Sequence, residues 1–400
     1  MSKRVRTAAI IGGGIAGPVA ALALHRAGIA GTVYESYPSP AEGLGGTIAL
    51  APNGVAALDI VGAGDQVRQV ADPAYRQVMS VNGKRVPLPG LSGVEPLQVV
   101  RRSDLHRILH DRAAADGVRI EHGKKLVSVR EDAAGATAKF ADGSSVTADV
   151  LIGADGVHST VRRLIDPEAP GPRYTGMLAF EGVSRAEVAE EPGTMTFAFG
   201  KRGYYLYWPS KGGTTFGVNL PAKRPLTVRE ARQTPPDQWL RKLVEVYGED
   251  DPGGALVRGL APEALQVNGA LYIMPPVPRW HRGRMVLVGD AVHAPSNSSG
   301  QGASLSIESA VELARCLREL DVPEAFATYE GLRRARVERV ASRAAKINHT
   351  KAPGLVAKAL MPVIMPIFLK IAMKPEKTVG VEQRYRIDWD APVRRTAAVV

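Results

Sequence analysis

Residues 5–35, VRTAAIIGGGIAGPVAALALHRAGIAGTVYE, contain the pattern that decides the fold. The short apolar run that ends at Ile11 predicts a β-strand, and the Ala- and Leu-rich residues 19–26 predict a helix. Gly28 predicts the end of that helix, and residues 32–34 predict a second strand that leads to Glu35. A strand, a Gly-rich turn, a helix and another strand predict a βαβ unit and therefore an α/β fold.

The turn in this segment has the spacing G-x-G-x-x-G. Its first glycine permits the tight turn, the second lets a pyrophosphate approach the backbone, and the third lets helix and strand pack closely. The start of the helix offers free N–H groups to phosphates, and Glu35 can accept hydrogen bonds from ribose hydroxyls. The segment therefore predicts a site for FAD or NAD, disfavours NADP, and leaves the first two open. The predicted contacts in this segment are Gly12, Gly14, Ile15, Ala16, Gly17, Glu35 and Ser36.

Length and composition limit the class of protein. A chain of 400 residues suggests two or three domains, and 45% apolar residues are typical of a globular enzyme. The single Cys316 excludes an internal disulfide and a cysteine-based metal site, which is typical of a reducing cytoplasm. The net charge is +11, but Arg is spread along the chain and no basic tract with aromatic residues stands out. We therefore expect a cytoplasmic protein that binds neither metal nor nucleic acid.

Two later apolar runs also end in an acidic residue and glycine. Residues 151–156 (LIGADG) predict a strand that ends at Asp155, and residues 285–290 (MVLVGD) predict a strand that ends at Asp290. Open α/β sheets bind ligands outside the carboxyl ends of their strands, so Asp290 is placed to hold a sugar-like hydroxyl. Residues 298–302 (SSGQG) precede a predicted helix over residues 304–317 and form a second Gly-rich helix start.

The segment of residues 172–267 has a β-rich pattern, with predicted strands at residues 194–199, 204–208 and 215–220. Residues 73–98 contain a predicted hairpin at Asn82-Gly83. We expect the sheet to form one wall of a binding pocket. Its aromatic side chains either line that pocket or belong to the hydrophobic core. The pocket candidates are Phe197, Tyr205, Tyr207 and Trp208.

Together, the motifs resemble those of the single-component (group A) flavoprotein monooxygenases of the para-hydroxybenzoate hydroxylase type. The resemblance covers most of the chain in order: the GGGIAG turn with Glu35, the R-x-x-L of residues 102–105, the GADG of residues 153–156 and the GDAVH of residues 289–293. In that family the first turn binds the ADP pyrophosphate of FAD and the acid binds the adenosine ribose. The Arg contacts FAD near the ribityl chain and pyrophosphate, the Asp of GD holds the ribityl chain, and the following Gly-rich turn faces the isoalloxazine. The resemblance implies further cofactor contacts at Arg102, Asp155, Gly289, Asp290, Gly300, Gln301, Gly302 and Ala303.

The resemblance also implies a reaction. NADPH or NADH reduces FAD, O₂ adds to give a flavin hydroperoxide, and one oxygen atom passes to the substrate in a hydroxylation or an epoxidation. No protein nucleophile, metal or triad is then expected, and His106, His158 and His293 are expected to be structural. The family usually has Pro seven residues after the Asp of GD, whereas this chain has Asn297 there and Pro295 two residues earlier. We expect both Asn297 and Pro295 near the isoalloxazine, where this departure bears on the chemistry.

Two other functions are compatible with the same motifs. A flavin-dependent reductase of isoprenoid double bonds, similar to geranylgeranyl reductase, shares the GGGIAG, Asp-Gly and Gly-Asp segments and transfers hydride in place of oxygen. The second alternative is a non-enzymatic FAD- or NAD-binding module. For the monooxygenase we expect an apolar aromatic or unsaturated small molecule from secondary metabolism or catabolism as the substrate, and a monomer or homodimer. The sequence does not identify the substrate or choose between NADH and NADPH.

The order of the motifs predicts two domains that are interleaved in the chain. A Rossmann-like FAD-binding domain comprises residues 1–72, 99–171 and 269–345, and a β-sheet substrate domain comprises residues 73–98 and 172–268. Residues 346–400 are expected to form a C-terminal helical segment. Within it, the apolar residues 354–373 contain Pro362 and Pro366 and hold too short an uninterrupted run to span a bilayer. Either a helix pair that covers the core or a weak peripheral membrane contact is compatible with this stretch.

Overall fold

The computed structural model describes residues 4–39, 45–81, 83–350 and 375–393. The strands are β1 (Thr7–Ile11), β2 (Ala30–Tyr34), β3 (Thr47–Leu50), β4 (Asp72–Ala74), β5 (Arg76–Val81), β6 (Lys84–Pro87), β7 (Leu97–Arg101), β8 (Arg119–Glu121), β9 (Leu126–Glu131), β10 (Ala136–Phe140), β11 (Ser145–Ala148), β12 (Val150–Gly153), β13 (Arg173–Ser184), β14 (Thr194–Phe199), β15 (Tyr204–Ser210), β16 (Gly213–Pro221), β17 (Gln266–Ile273), β18 (His281–Arg282) and β19 (Met285–Leu287). The α-helices are α1 (Ala16–Arg26), α2 (Pro52–Ile60), α3 (Gly64–Val70), α4 (Arg102–Ala115), α5 (Thr160–Ile165), α6 (Val228–Ala231), α7 (Pro236–Tyr247), α8 (Gly253–Arg258), α9 (Gly302–Glu319), α10 (Val322–Thr350) and α11 (Val379–Gln383). Short 3₁₀ turns lie at Pro262–Ala264, Gly289–Ala291, Asn297–Ser299 and Pro375–Lys377.

A six-stranded sheet contains the first βαβ unit, in the order β18-β19-β12-β1-β2-β8. β1 pairs in parallel with β2 and β12, and β12 pairs in parallel with β19. α1 and α9 pack together over this sheet, which buries the apolar runs of β1 and β12. The carboxyl ends of β1, β12 and β19 lie side by side, so the three motifs that follow these strands meet at one edge of the sheet. The predicted α/β fold with a Rossmann-like unit is confirmed.

A seven-stranded sheet has the order β17-β13-β16-β15-β14-β5-β6. Its neighbouring strands are antiparallel, except that β5 and β14 pair in parallel. The strands predicted at residues 194–199, 204–208 and 215–220 are confirmed as β14, β15 and β16. The hairpin predicted next to Gly83 is confirmed as the antiparallel pair of β5 and β6. One sheet thus combines two strands from before residue 99 with five from after residue 171.

Two helices cover one face of the seven-stranded sheet, and the β-rich interpretation of residues 172–267 missed them. α7 buries Trp239, Leu243 and Tyr247, whose spacing of four residues places them on one helix face. Pro236 occupies the first turn of α7, where a missing N–H costs nothing. α8 adds Leu256 and Val257 to the same core. A helical period of apolar residues was the available signal for α7.

A three-stranded sheet, β3-β7-β4, lies against the other face of the seven-stranded sheet. Thr47 in β3 donates hydrogen bonds from its backbone N (3.0 Å) and its Oγ1 (2.6 Å) to the carboxylate of Glu181 in β13. Ala74 and Val99 pack with Trp208 in a small apolar cluster. This face of the large sheet is therefore turned toward β3 and β7. β7 leads directly into α4, whose His110 contacts Gly13 in the Gly-rich turn. A second small sheet, β11-β10-β9, is a separate meander.

The C-terminal residues 375–393 pack on α9 and α10. Glu382 forms an ion pair of 2.6 Å with Arg343, and Tyr385 donates a hydrogen bond of 2.8 Å to Glu312. The predicted membrane-contact stretch, residues 354–373, lies outside the described residues. Within the described ranges, the model contains no helix with the length and apolar character needed to span a bilayer.

Candidate functional site

Close backbone contacts shape the Gly-rich turn after β1. Gly12 has a φ of +109°, which favours glycine, and a Cβ there would overlap the carbonyl of Ala154. A Cβ on Gly17 would overlap the carbonyl oxygen of Gly12, so the turn folds back onto α1. In contrast, no atom lies within 4 Å of where a Cβ on Gly14 would stand. The turn is thus packed against its own domain and open on the side where a pyrophosphate approaches the backbone.

The start of α1 offers free hydrogen-bond donors to that open side. Ile15 is the N-cap residue, and its side chain makes no capping hydrogen bond. Ile15 is partly exposed and Ala16 is buried. The first N–H groups of an α-helix have no partner within the helix, and the helix dipole adds positive potential there. Free donors beside an open glycine fit the pyrophosphate of FAD.

Glu35 follows β2 and turns back to the Gly-rich turn. Its Oε2 accepts a hydrogen bond of 2.6 Å from the backbone N of Gly13. Its Oε1 accepts from the hydroxyl of Ser36 (2.9 Å) and the backbone N of Tyr37 (2.8 Å). A carboxylate has about four lone-pair sites, so one site remains for a ribose hydroxyl. The structure therefore fixes Glu35 beside the turn, where the sequence predicts the ribose.

One face of α4 borders the same turn and carries Arg102, His106 and His110, which are spaced four residues apart. A ring nitrogen of His110 lies 2.9 Å from the carbonyl oxygen of Gly13, and His106 stacks on His110 at 3.8 Å. Burial and, to a smaller extent, the neighbouring His110 together lower the pKa of His106 to about 4. Burial also lowers the pKa of His110. Because a carbonyl oxygen only accepts, the ring nitrogen of His110 donates to Gly13. The sequence interpretation missed His110, although its spacing from Arg102 was a usable signal.

In the Asp-Gly motif after β12, the carboxylate of Asp155 is hydrogen-bonded to the residues that follow it. Asp155 accepts hydrogen bonds from the backbone N of Thr160 (2.7 Å), the backbone N of Val161 (3.1 Å) and the hydroxyl of Ser159 (2.5 Å). Burial raises the pKa of Asp155, while these hydrogen bonds lower it. Its side chain thus holds the start of α5, and its backbone packs against Gly12. The Asp-Gly motif thus packs directly against the first Gly-rich turn.

Asp290 lies in the 3₁₀ turn after β19. The preceding Gly289 has a φ of +60°, and a Cβ there would stand 2.9 Å from the Cβ of Ala16, so this motif also packs on the start of α1. Asp290 is exposed to solvent, yet burial raises the pKa of its carboxyl. The charge of Arg102 and a hydrogen bond of 3.4 Å from Ser306 lower that pKa. The combination of an accessible carboxylate with protein on most sides indicates a cleft at the edge of the sheet where the motifs after β1, β12 and β19 meet.

The second Gly-rich turn, residues 297–302, leads into α9 and faces the same cleft. Gly300 has a φ of +60° and is exposed, and Gly302 and Ala303 are partly exposed. The N-cap residue Gln301 makes no capping hydrogen bond, so the first N–H groups of α9 are also free. Asn297 is exposed and Pro295 is partly exposed. Their predicted position near the isoalloxazine stays a prediction.

The four aromatic pocket candidates lie on opposite faces of the seven-stranded sheet. Tyr205 and Tyr207 are buried with α7 and α8 in a core cluster, which favours the hydrophobic-core alternative for both. Phe197 and Trp208 lie on the other face, turned toward β3 and β7. Successive residues of a strand point to opposite faces, which explains why Tyr207 and Trp208 differ.

A row of paired residues crosses that second face. Phe197 pairs with Met79 on one side and with Leu206 on the other. Leu206 pairs with Gly217, and Gly217 pairs with Glu181. All of them except Gly217 are partly exposed, although the opposite face of the sheet is buried. Burial raises the pKa of Glu181, and its hydrogen bonds to Thr47 lower it. The row is an accessible, apolar wall that ends in one carboxylate, and the sequence interpretation missed three of its members: Met79, Leu206 and Glu181.

His293 is buried and contacts a side chain of α9. One ring nitrogen lies 2.9 Å from the hydroxyl of Ser309. Burial and, to a smaller extent, the nearby Arg333 together lower the pKa of His293 to about 3. A neutral, buried ring agrees with the predicted structural role. His158 is exposed and lies edge-on to Tyr272.

A known protein family matches most of the chain. The family described as "FAD binding domain" matches residues 5–237 and 275–344. The chain is 33% identical to the FAD-dependent urate hydroxylase of Klebsiella pneumoniae, over 86% of this chain and 91% of that protein. It is 28% identical to the 3-hydroxybenzoate 6-hydroxylase of Klebsiella oxytoca, over 84% of this chain and 86% of that protein.

Solved structures show the same relationship. Klebsiella pneumoniae HpxO complexed with FAD and uric acid superposes with a TM-score of 0.80 and 27% identity, covering 94% of this chain and 96% of that one. The tetrameric form of 2-methyl-3-hydroxypyridine-5-carboxylic acid oxygenase gives a TM-score of 0.71 with 26% identity, covering 90% and 96%. These relatives are oxygenases, which disfavours the alternative reductase. FAD is therefore the cofactor, NAD(P)H is the usual reductant of such enzymes, and the chain belongs to the group A FAD-dependent monooxygenases.

Proposed function

We propose that this enzyme uses NADPH or NADH to insert one atom of O₂ into a neutral, apolar aromatic or unsaturated small molecule. The apolar row on the seven-stranded sheet supports the substrate class. Met79, Phe197 and Leu206 present accessible apolar surface, and the row contains no Lys, Arg or His. A substrate anion in contact with Met79, Phe197 and Leu206 would lose its hydration with no cation among these three side chains, at a cost on the order of several kcal/mol. The charge of Arg101 acts at the other end of the row, where it lowers the pKa of Glu181.

We also propose specific roles for the residues around the cofactor. The open Gly14 and the free N–H groups of α1 would hold the pyrophosphate, and Glu35 would hold the ribose. Asp290, beside Arg102, would hold the ribityl hydroxyls, and the start of α9 would face the isoalloxazine. Bound FAD supplies the redox and oxygen chemistry. The chain orients the two reactants and keeps water away from them.

A substrate screen tests the proposal. The holoenzyme is mixed with NADH or NADPH and with neutral compounds (phenols, indoles, polycyclic alkenes) or anionic ones (benzoates, urate). Neutral apolar compounds are expected to stimulate NAD(P)H consumption with uptake of O₂, and ¹⁸O₂ is expected to add one labelled atom to the product. Stimulation by the anionic compounds alone contradicts the proposed substrate class. A reduced product without label contradicts oxygen transfer.

A matched pair of variants tests whether the apolar row lines the substrate pocket. Phe197→Leu changes the accessible face, whereas Phe216→Leu makes the same change on the buried face of the same sheet. We expect Phe197→Leu to lower kcat/KM for the best substrate about tenfold, in line with changes in apolar pocket contacts. Phe216→Leu is expected to lower the melting temperature and leave kcat/KM within about twofold. Equal losses of kcat/KM in both variants would show that Phe197 does not line the pocket.

We propose a monomer or homodimer in solution. Light scattering during size-exclusion chromatography measures the mass directly, and a mass of four chains contradicts this assignment.

A further inference from the structure

A buried polar cluster connects the start of α9 to α2 and α10. Its members are at most 10% exposed and are Asn53, Gln301, Glu308, Arg333 and Arg336, named here the Glu308 cluster. Such a group is costly to bury unless every donor and acceptor is satisfied. Of its members only Gln301 belongs to a motif of the sequence, because the cluster combines three distant parts of the chain.

Glu308 is the common acceptor of this cluster. Its carboxylate accepts from Nδ2 of Asn53 (2.6 Å), from Nη2 of Arg333 (2.6 Å), and from Nη2 (2.8 Å) and Nε (2.9 Å) of Arg336. The opposite charges of Arg333 and Arg336 lower the pKa of Glu308, although burial alone raises it. Four donors require a group that only accepts, and an ionised carboxylate is the one side chain that offers about four acceptor sites.

Asn53 connects Glu308 to Gln301, in the turn of residues 297–302. Its Nδ2 also donates to Oε1 of Gln301 (2.9 Å), and Nε2 of Gln301 donates back to Oδ1 of Asn53 (3.3 Å). The side chain of Gln301 is thus turned inward, and the two residues that follow it, Gly302 and Ala303, are partly exposed. Asn53 also lies in the first turn of α2, directly after β3. Through Asn53, Glu308 therefore fixes α2 and the start of α9 relative to each other.

We propose that Glu308 is a positioning residue for FAD, which acts through Asn53 and Gln301 to hold the free N–H groups at the start of α9 in their binding geometry. This inference depends on FAD binding and not on the proposed substrate. Glu308→Gln keeps the size of the side chain but turns one acceptor atom into a donor. That donor then faces Asn53 or an Arg guanidinium, so the contact to Asn53 or an ion pair is lost.

Glu312 provides a matched control on the same helix, one turn further on. It is also buried, pairs with Arg315 at 2.9 Å and accepts from Tyr385 at 2.8 Å. Its hydrogen bonds run to Arg315 of the same helix and to Tyr385 of the C-terminal residues, and not to Asn53 or Gln301. Glu312→Gln therefore disturbs a buried carboxylate of similar environment without a direct effect on the turn at residues 297–302.

The experiment measures three quantities for the parent protein, Glu308→Gln and Glu312→Gln. These are the Kd of FAD, titrated into FAD-free protein; the melting temperature of FAD-free protein; and amide hydrogen exchange of residues 297–305. We expect both variants to melt at lower temperature. Glu308→Gln alone is expected to raise the Kd of FAD about tenfold, as for one buried donor left unpaired, and to speed exchange in the turn.

A merely structural role of Glu308 predicts that both variants lower the melting temperature and leave the Kd of FAD equal. That result overturns the proposal, and so does an unchanged Kd in Glu308→Gln. If Glu308→Gln does not fold, Asn53→Ala provides the test, because it keeps both Arg–Glu308 ion pairs and removes the hydrogen bonds of Asn53 that connect Glu308 to Gln301. A tenfold higher Kd in Asn53→Ala supports the proposal, and a Kd within twofold of the parent protein overturns it.

Discussion

Gly14 and Gly17 in the first Gly-rich turn are required for different physical reasons. Gly17 has no room for a Cβ because the carbonyl oxygen of Gly12 fills that space. Gly14 has room within the protein, because no atom lies within 4 Å of its Cβ position. Gly17 is therefore required by the fold, and Gly14 is required only by a ligand that approaches the backbone.

This difference predicts the behaviour of two alanine variants. Gly17→Ala is expected to lower both the melting temperature of the FAD-free protein and the affinity for FAD, because the turn must move away from α1. Gly14→Ala is expected to keep the melting temperature within about 2 °C, since it costs under about 0.5 kcal/mol, and to raise the Kd of FAD at least tenfold. Calorimetry and flavin fluorescence titration measure the two quantities. A Gly14→Ala variant that binds FAD as tightly as the parent contradicts the position of the pyrophosphate.

At the scale of elements, the start of α5 depends on a side chain from the loop before it. Asp155 accepts from two backbone N–H groups of α5 and packs its own backbone on Gly12. Asp321 has a similar but exposed hydrogen bond of 3.2 Å to the backbone N of Glu324 at the start of α10. One helix start thus borders the cofactor turn, and the other lies at the surface.

We expect Asp155→Ala to lower the free energy of unfolding by about 1–3 kcal/mol, because buried donors lose their acceptor. It is also expected to raise the Kd of FAD, because the loop that supports Gly12 loses its anchor. Asp321→Ala serves as the control and is expected to cost about 0.5–1 kcal/mol with the Kd unchanged. Denaturant unfolding and FAD titration test both statements. An unchanged Kd in Asp155→Ala would show that the loop keeps its shape without the carboxylate.

For the whole molecule, buried neutral histidine couples stability to pH. Burial lowers the pKa of His293 to about 3 in the folded state, below its ordinary value of 6.5. The folded state therefore resists protonation, whereas the unfolded state accepts a proton below about pH 6.5. The stability that His293 contributes is fully present above pH 6.5 and is lost as the pH falls toward 3.

We expect the free energy of unfolding of the FAD-free protein to fall between pH 6.5 and 4.5, by at most about 1.4 kcal/mol per pH unit from His293. His293→Asn is expected to reduce this slope while lowering stability at pH 7. The exposed His25 provides the control, since His25→Asn keeps His293 in place. Urea unfolding at several pH values measures the slope, and identical slopes in all three proteins refute the assignment.

The sequence by itself determined the local units: the strand, turn and helix of residues 7–26, the strands at residues 194–199 and 204–208, and the three motifs that end in Gly or Asp. Such units were predictable because periods of 2 and 3.6 residues and turn glycines act within a few residues of chain. The same patterns predicted the FAD site and the family, because the motifs of this family are short and follow the ends of strands. α7 was missed although the helical spacing of Trp239, Leu243 and Tyr247 is a signal of the same kind.

Only the tertiary structure decided which side of the seven-stranded sheet is buried under α7 and α8 and which polar groups meet inside the protein. Alternation alone separates Tyr207 from Trp208, but the packing of α7 and β3 on opposite faces decides which of them belongs to the core. Asn53 and Glu308 are 255 residues apart, and their hydrogen bond forms because α2 and α9 pack together. Contacts of this kind depend on the global arrangement of elements, which no local pattern encodes.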